Sequence, residues 1–405
     1  MIQRIVIIGA GQAGASAAFK LRALGYEGEL TLVGEEDTLP YQRPPLSKKY
    51  LTGAVEAARL HLKPEAVYRD KAIALQLGCR VTAIDAKTSR VTLDDTQALE
   101  YDRLILATGA TPNELPASLG GGLDNVYSFR TLAHAAALQS DFCAGRKLLV
   151  VGGGYIGLEI AAVAVQCNLN VEIVEKAPRI LQRVASQETA DHFRALHQSH
   201  GVVIHENAGL ASIRSNKNRI TGVTLDNGHE IEADVLVAGI GIRPNSALAE
   251  MAGLTVDDGI VVDAFGQTSD PAIFAAGDCT RFPYGERVIR LESVQNAIEQ
   301  AEHVAGHILG DDRPYQPVPW FWSDQYQTKL QIAGLNHGFD HVIRRPGART
   351  GESIWYYRDT EFLAVDAIDD PKAFMLGKQW LKQGVQPDRT RLDDPAVDLK
   401  TLAIR

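Results

Sequence analysis

The feature that most constrains this chain is a glycine-spaced turn that occurs twice. Residues Arg4-Ile-Val-Ile-Ile-Gly9-Ala-Gly11-Gln-Ala-Gly14 pass from an apolar strand through three glycines into the helix-period stretch Ala15 to Leu24, which Gly25 ends. The pattern returns 143 residues later as Leu148-Leu-Val-Val-Gly152-Gly-Gly154-Tyr155-Ile156-Gly157-Leu-Glu159 and predicts a second helix to about Cys167. In such a unit the first glycine permits the tight turn, the second lets the backbone approach a pyrophosphate, and the third lets helix and strand pack closely. The helix N-terminus then faces the phosphates. One such turn alone competes with an ordinary strand-to-helix connection. Two complete units in one chain point to two nucleotides bound at once, as a flavin and a nicotinamide together require.

Each unit is followed by a second strand that ends in an acid. Leu30-Thr-Leu-Val-Gly34-Glu35 places Glu35 26 residues after Gly9, and Asn170-Val-Glu-Ile-Val-Glu175 places Glu175 23 residues after Gly152. A carboxylate at a strand tip accepts from ribose hydroxyls, and at Glu175 it repels the 2′-phosphate of NADP, so NADH is favoured. The basic neighbours Lys176, Arg179 and Arg183 either weaken that preference or meet the pyrophosphate and solvent. Three further strands end in small or acidic residues: one at Ala107-Thr108-Gly109, one running to Gly241, and one at Ala276-Gly277-Asp278. Asp278 is placed to bond a ribityl chain or a phosphate-bridging water. Ser293 is expected to cap a long helix from Val294 to about Leu309. Its positive end and the Val294 N–H suit the negative charge of a reduced flavin.

At 405 residues the chain is too long for one core. The order of motifs predicts an α/β protein with two Rossmann-like dinucleotide-binding domains. The FAD-binding domain is expected at 1–109 and 242–318, an inserted NAD-binding domain at 110–241, and a small α+β C-terminal domain at 319–405. The last is expected from short alternating strands such as Ser353 to Tyr357 and Phe362 to Asp366, closed by an amphipathic helix from Pro371 to Lys382. No run approaches the roughly 18 apolar residues that span a bilayer, and Met1 to Ile8 leads into a strand instead of a signal peptide, so a cytoplasmic chain without a membrane segment is expected. A net charge of -9 argues against a nucleic-acid partner. Cys79, Cys143, Cys167 and Cys279 form no close pair, which predicts buried or half-buried thiols and neither metal nor dithiol chemistry. No hydrolase pattern appears among the 11 histidines and 50 acidic residues.

Five segments carry a resemblance that covers essentially the whole chain: Arg43-Pro44-Pro45-Leu46-Ser47-Lys48, Gly152 to Glu159, Thr268-Ser-Asp-Pro271, Ala276-Gly-Asp-Cys279 and Trp320-Phe-Trp-Ser-Asp-Gln325. The chain resembles the FAD-dependent pyridine-nucleotide reductases, and within them the oxygenase-coupled NADH:ferredoxin reductases. The resemblance implies FAD contacts at Glu35, Lys48, Val81, Arg130, Asp278 and Val294, and electron transfer to a 2Fe-2S ferredoxin. Disulfide reductases of this fold carry a Cys-x4-Cys pair over the flavin, whereas Arg43 to Tyr50 has no cysteine. Electrons therefore leave the flavin directly.

Several side chains are open to two readings. Lys48 and Glu159 are expected as a partly buried pair near flavin N5, against a solvated lysine and a first-turn glutamate that only complements the helix dipole. Tyr155 either occupies the nicotinamide slot until NADH enters or packs. Trp320 and Trp322 either line the flavin edge or fill a core. Arg43, Lys48, Lys49, Lys329, Arg344 and Arg345 are the candidates for docking an acidic ferredoxin. Rival functions are a rubredoxin reductase, a small-molecule reductase acting on monodehydroascorbate or quinone, and a redox-signalling flavoprotein.

Overall fold

The computed structural model describes residues 2–94, 97–347 and 351–404, and the chain divides into two compact units. The first unit comprises Met1–Gln42, Ala57–Thr111 and Ile242–Pro317; the second comprises Arg43–Glu56, Pro112–Gly241 and Val318–Arg405.

The first unit is built on a five-stranded parallel sheet in the order Ile273–Ala275, Arg103–Leu106, Arg4–Ile8, Glu29–Gly34, Ala74–Leu77. Its strands are largely apolar: Ile5, Ile7, Leu32 and Ile105, all but inaccessible, share one core with helices Gln12–Ala23 and Val294–Ile308, and Val6, Leu104 and Leu106 at the alternate positions are buried as well. Helix Gln12–Ala23 presents Ala13, Ala17 and Ala18 to Ala297, Ala301 and Ala305 of helix Val294–Ile308. Small side chains on both faces let these helices approach closely. Ser293 caps the second of them, its hydroxyl accepting from the Asn296 N–H at 3.1 Å, as the sequence predicts.

The second unit repeats the parallel plan. Its five strands run in the order Val203–Glu206, Asn170–Glu175, Lys147–Val151, Val235–Ala238, Val126–Ser128. Helix Tyr155–Gln166 follows the central strand as helix Gln12–Ala23 does in the first unit. The same unit holds an antiparallel sheet ordered Trp320–Gln325, Thr328–Gly334, Glu361–Ile368, Glu352–Arg358, His341–Pro346. Trp355, Tyr357, Phe362 and Trp380 form the centre of its core, the last contributed by helix Pro371–Gln383. Asp370 caps that helix by accepting from the Ala373 N–H at 3.0 Å.

Residues 43–56 belong to the second unit although the chain on either side of them belongs to the first. Leu46–Tyr50 is a short helical segment broken by a kink at Lys48, whose φ of -133° and ψ of -111° are not helical. Arg43 donates to the Arg130 carbonyl at 2.9 Å and Gln139 to the Tyr50 carbonyl at 2.8 Å, which ties the segment down. Among the described residues no helix is long and apolar enough to cross a membrane. The four cysteines are unbonded; Cys79 and Cys167 are half-buried and Cys279 buried, but Cys143 is exposed, against expectation. It lies just beyond helix Leu132–Gln139.

Candidate functional site: two nucleotide cradles and a buried ion pair

The two glycine turns have the same steric logic. A Cβ on Gly14 would stand 1.9 Å from the Gly9 carbonyl oxygen, and one on Gly157 would stand 2.2 Å from that of Gly152. A Cβ on Gly9 would meet the Ala107 carbonyl oxygen at 2.1 Å, and one on Gly152 that of Gly239 at 2.3 Å. By contrast, a Cβ on Gly11 or Gly154 would meet nothing within 4 Å. The open positions are the ones a pyrophosphate approaches. Both helices begin at these open glycines without a side-chain cap, so their first N–H groups are left for an anion. The residues present therefore fit a dinucleotide at each turn.

In the first unit Glu35 follows the second strand and is 73% exposed, with Arg80 3.7 Å away. Its carboxylate is available to ribose hydroxyls. Val81 is buried at the start of strand Val81–Asp85. Thr108 is committed internally: its hydroxyl donates to the Asn245 carbonyl at 2.6 Å while Asn245 donates back to the Thr108 carbonyl at 2.9 Å. That lock fixes the chain between Ala107 and Gly109. Asp278 stands half-buried just past strand Ile273–Ala275, and Val294 opens its helix.

In the second unit Glu175 ends strand Asn170–Glu175 but is used twice by its own surroundings. One oxygen accepts from the Gly153 N–H at 2.7 Å and the other from the Ala177 N–H at 2.7 Å. The acid thus shapes the turn that carries Gly153. Of its basic neighbours, Arg179 is spent on the Ala185 and Ser186 carbonyls, at 2.7 and 3.1 Å, whereas Lys176 and Arg183 are exposed. Gly241 takes a φ of 94° past strand Val235–Ala238. Ile156 is exposed in the first turn of its helix. The Tyr155 ring packs on Phe321 at 4.7 Å between centroids, with its hydroxyl buried. That burial holds the phenol well above its usual range.

Lys48 and Glu159 form an ion pair at 2.7 Å, with side chains 19% and 3% exposed. Glu159 occupies the second helical turn, where a dipole role is weak, because the helix starts at Tyr155. Two hydroxyls complete its coordination: Ser47 donates to Oε2 at 2.6 Å and Ser323 to Oε1 at 2.7 Å. Sequence reasoning did not select these serines. Their signal was present in strand Trp320–Gln325, where Ser323 and Gln325 are polar at period-two positions and both are fully buried.

Other expectations are corrected. Arg345 is buried and gives its guanidinium to the carbonyls of Leu392, Asp394 and Val397, so it is not a docking cation. Arg344 is paired with Glu352, whose carboxyl is held below its usual range first by His192 and then by Arg344. Trp320 packs on Trp322 and Phe374, at 5.6 and 5.8 Å, with the Lys378 ammonium 4.5 Å from its ring centre. Glu172, His205 and His229 bring three possible ligand atoms within 4.8 Å of one another, but Glu172 and His205 already satisfy each other at 2.7 Å.

The family model for pyridine nucleotide-disulphide oxidoreductases matches residues 3–301, and that for the reductase C-terminal region matches 320–403. Putidaredoxin reductase of Pseudomonas putida is 40% identical over 405 residues, covering 98% of this chain and 96% of that protein. Rhodocoxin reductase of Rhodococcus erythropolis is 42% identical over 404 residues, covering 99% and 94%. The solved covalent complex of putidaredoxin reductase with putidaredoxin aligns with a TM-score of 0.95 at 39% identity, over 99% of this chain and 98% of that one. The chain therefore belongs to the pyridine nucleotide-disulphide oxidoreductase family, with the reductase-type C-terminal region in place of any dithiol relay among its described residues.

Proposed function

We infer that this chain is an FAD-containing NADH:ferredoxin oxidoreductase that serves an oxygenase through a 2Fe-2S ferredoxin. The observation that carries the reading is the pair of sterically matched cradles in a chain whose segment 43–50 offers no cysteine. The relatives' names agree: they include a ferredoxin–NAD(+) reductase component of a p-cumate dioxygenase system, 36% identical over 406 residues. FAD, when bound, supplies a two-electron acceptor that releases electrons one at a time. The overall balance is one NADH and two oxidised ferredoxins giving NAD⁺, two reduced ferredoxins and one proton.

The chain's own residues bind and orient. We assign 1–109 and 242–318 to FAD, with Gly9, Gly11, Gly14 and the Val294 N–H at its phosphates and ring, and Glu35 at its ribose. Residues 110–241 are assigned to NADH, with Gly152, Gly154 and Gly157 at the pyrophosphate, Glu175 at the ribose, and Tyr155 and Ile156 at the helix entrance. Lys48 and Glu159 are assigned to the hydride step, where an ammonium held in a half-dry site favours the negative charge that reduction adds. At ~4 Å and an effective dielectric near 20 that attraction is about 4 kcal/mol, before desolvation and the opposing charge of Glu159. Arg130 is assigned to FAD on the resemblance alone and Trp320 on its place at the start of the C-terminal domain, and a cytoplasmic location is supported by four unbonded thiols.

The test is an anaerobic NADH titration followed by mixing with a panel of 2Fe-2S ferredoxins and rubredoxins. Rapid reduction of a ferredoxin supports the reading. Rubredoxin is included because a rubredoxin–NAD(+) reductase of Pseudomonas putida is 37% identical over 371 residues. Flavin reduction with turnover on no iron–sulfur or rubredoxin partner overturns it in favour of a small-molecule acceptor.

A further inference from the structure

A line of buried polar side chains leads away from Glu159 through the second unit. Ser323 Oγ is 2.7 Å from Glu159 Oε1, Gln325 Nε2 is 3.2 Å from Ser323 Oγ, His197 Nε2 is 2.8 Å from Gln325 Oε1, and Tyr326 Oη is 3.2 Å from His197 Nδ1. Glu159, Ser323, Gln325 and His197 are at most 3% exposed, so water does not compete for these bonds.

The direction of every bond follows from one end. An ionised carboxylate only accepts, so Ser323 donates to Glu159. The Ser323 oxygen then accepts from the Gln325 amide nitrogen, which turns the Gln325 carbonyl toward His197. His197 must carry its proton on Nε2, and Nδ1 accepts from the Tyr326 hydroxyl. Burial holds the imidazole neutral by pushing it down to about 4, which keeps one nitrogen free to accept. An amide in the middle does not relay protons readily, so the line is a positional device and not a proton wire.

We infer that Ser323, Gln325, His197 and Tyr326 form a one-directional hydrogen-bond relay that holds the Glu159 carboxylate in place for Lys48, which makes His197 a positioning residue for the hydride step. The part concerning the hydride step rests on the function proposed above; the direction of the relay does not. Lys48 and Ser47 both donate to Oε2, so they hold that oxygen while the relay holds Oε1.

The arrangement has a consequence that packing alone does not produce. In Glu159→Gln the amide oxygen stays with Lys48 and Ser47, and the NH2 group faces Ser323. Every bond in the line then reverses: Ser323 donates to the Gln325 carbonyl, the Gln325 amide donates to His197 Nε2, and the His197 proton moves to Nδ1. The test is nitrogen NMR of the FAD-loaded full chain with labelled histidine, the His197 signal being identified by its loss in His197→Gln. The expected result is the Nε2–H tautomer in the wild type and the Nδ1–H tautomer in Glu159→Gln. The same tautomer in both overturns the relay.

A second measurement is stopped-flow reduction of the flavin by NADH. His197→Phe removes the donor to Gln325 and is expected to lower the limiting rate about fivefold without changing the NADH dissociation constant, a loss of about 1 kcal/mol. His197→Gln keeps an N–H at that place and is expected to return to within about twofold of wild type. Equal loss in both variants, or no loss in His197→Phe, overturns the positioning role. A wild-type flavin that NADH does not reduce overturns the proposed function instead and leaves the tautomer result to judge the relay.

Discussion

The interiors of the two units differ in kind. Among the described residues, the buried polar side chains of the first unit are Thr280, Asn296 and Gln300, all neutral and joined to one another through the Gln300 carbonyl oxygen. The second unit buries Asp141, Glu159, His197, Arg345, Glu352 and Asp366. Of these, Asp141, Glu159 and His197 belong to the part of the chain built on the parallel sheet, whereas Arg345, Glu352 and Asp366 lie on strands of the antiparallel sheet, so the second unit encloses ionisable groups in both of its parts where the first encloses neutral ones. A buried charge costs several kcal/mol unless it is fully paired, so it marks a place where packing has been subordinated to another demand. On this reading the first unit is a holder and the second carries the groups that respond to charge.

The sharpest way to break the comparison is to damage each cradle separately. Gly14→Ala and Gly157→Ala both push a methyl group into a backbone carbonyl. Gly14→Ala is expected to be purified with little flavin, while Gly157→Ala keeps its flavin yellow but needs roughly a hundredfold more NADH for half-maximal reduction. Flavin content by absorbance and an NADH titration check this pair, and equal flavin loss in both would show that the cradles are not separate.

The acids give the next effect. Removing the Glu175 side chain leaves the Gly153 and Ala177 N–H groups unpaired and, at the proposed NADH site, takes away the ribose acceptor. At about 1.5–3 kcal/mol for a charged acceptor, the Michaelis constant for NADH is expected to rise tenfold to a hundredfold in Glu175→Ala. Glu35 is exposed and faces only Arg80, at 3.7 Å, so Glu35→Ala is expected to weaken FAD retention by about tenfold or less. Steady-state kinetics with NADH and flavin release on dilution measure the two, and a smaller effect at Glu175 than at Glu35 would contradict the role given to its two backbone bonds.

A third effect separates the interiors by pH. Burial pushes the Asp366 carboxyl up to about 6, although Thr189 and Tyr356 donate to it. Its raised value means a stability contribution present below the ordinary carboxyl value, near 4, and lost as pH rises through about 6. His197, pushed down to about 4, works in the opposite sense: its contribution is present above about 6.5 and lost as pH falls through about 4. Each is worth on the order of 3 kcal/mol, and between pH 4 and 6 they oppose each other. Asp366→Asn is therefore expected to melt progressively lower than wild type as acid is added, and His197→Gln progressively higher. Thermal midpoints at a series of pH values read this, and parallel curves for both variants would remove these groups as the cause.

The smallest effect is at the surface. With Arg345 internal, Lys48 and Arg344 paired with acids, and Arg43 half-buried and donating to the Arg130 carbonyl, the expected docking charges reduce to Lys49 and Lys329, both exposed. Ferredoxin reduction is expected to slow several-fold between low and roughly 0.5 M salt, and less steeply in Lys49→Gln. Rates that are flat in salt would point to an apolar encounter.

What was legible in the sequence was local. Gly9-x-Gly11-x-x-Gly14 and its repeat forced both strand–turn–helix units, and Ser293 announced the helix it caps, because those signals act within a few residues of where they are written. The Lys48–Glu159 pair joins positions 111 residues apart and became visible only through the resemblance. The relay from Ser323 to Tyr326 was not legible, since a polar residue on a strand reads as solvent-facing until the covering element is known. For the same reason Arg345 read as a surface cation, although its carbonyl partners lie in 392–397.

The discontinuity of both units also has a consequence during synthesis. Strand Arg103–Leu106 lies between Arg4–Ile8 and Ile273–Ala275, and Leu104, Ile105 and Leu106 are wholly inaccessible in the finished fold. Its outer edge cannot be paired until Ile273 has left the ribosome, 167 residues after Leu106. At roughly 5–20 residues per second that edge stays open for about 10–30 s. Throughout that interval the nascent chain presents an apolar strand with one unpaired edge, a template for pairing with a neighbouring chain on the polysome.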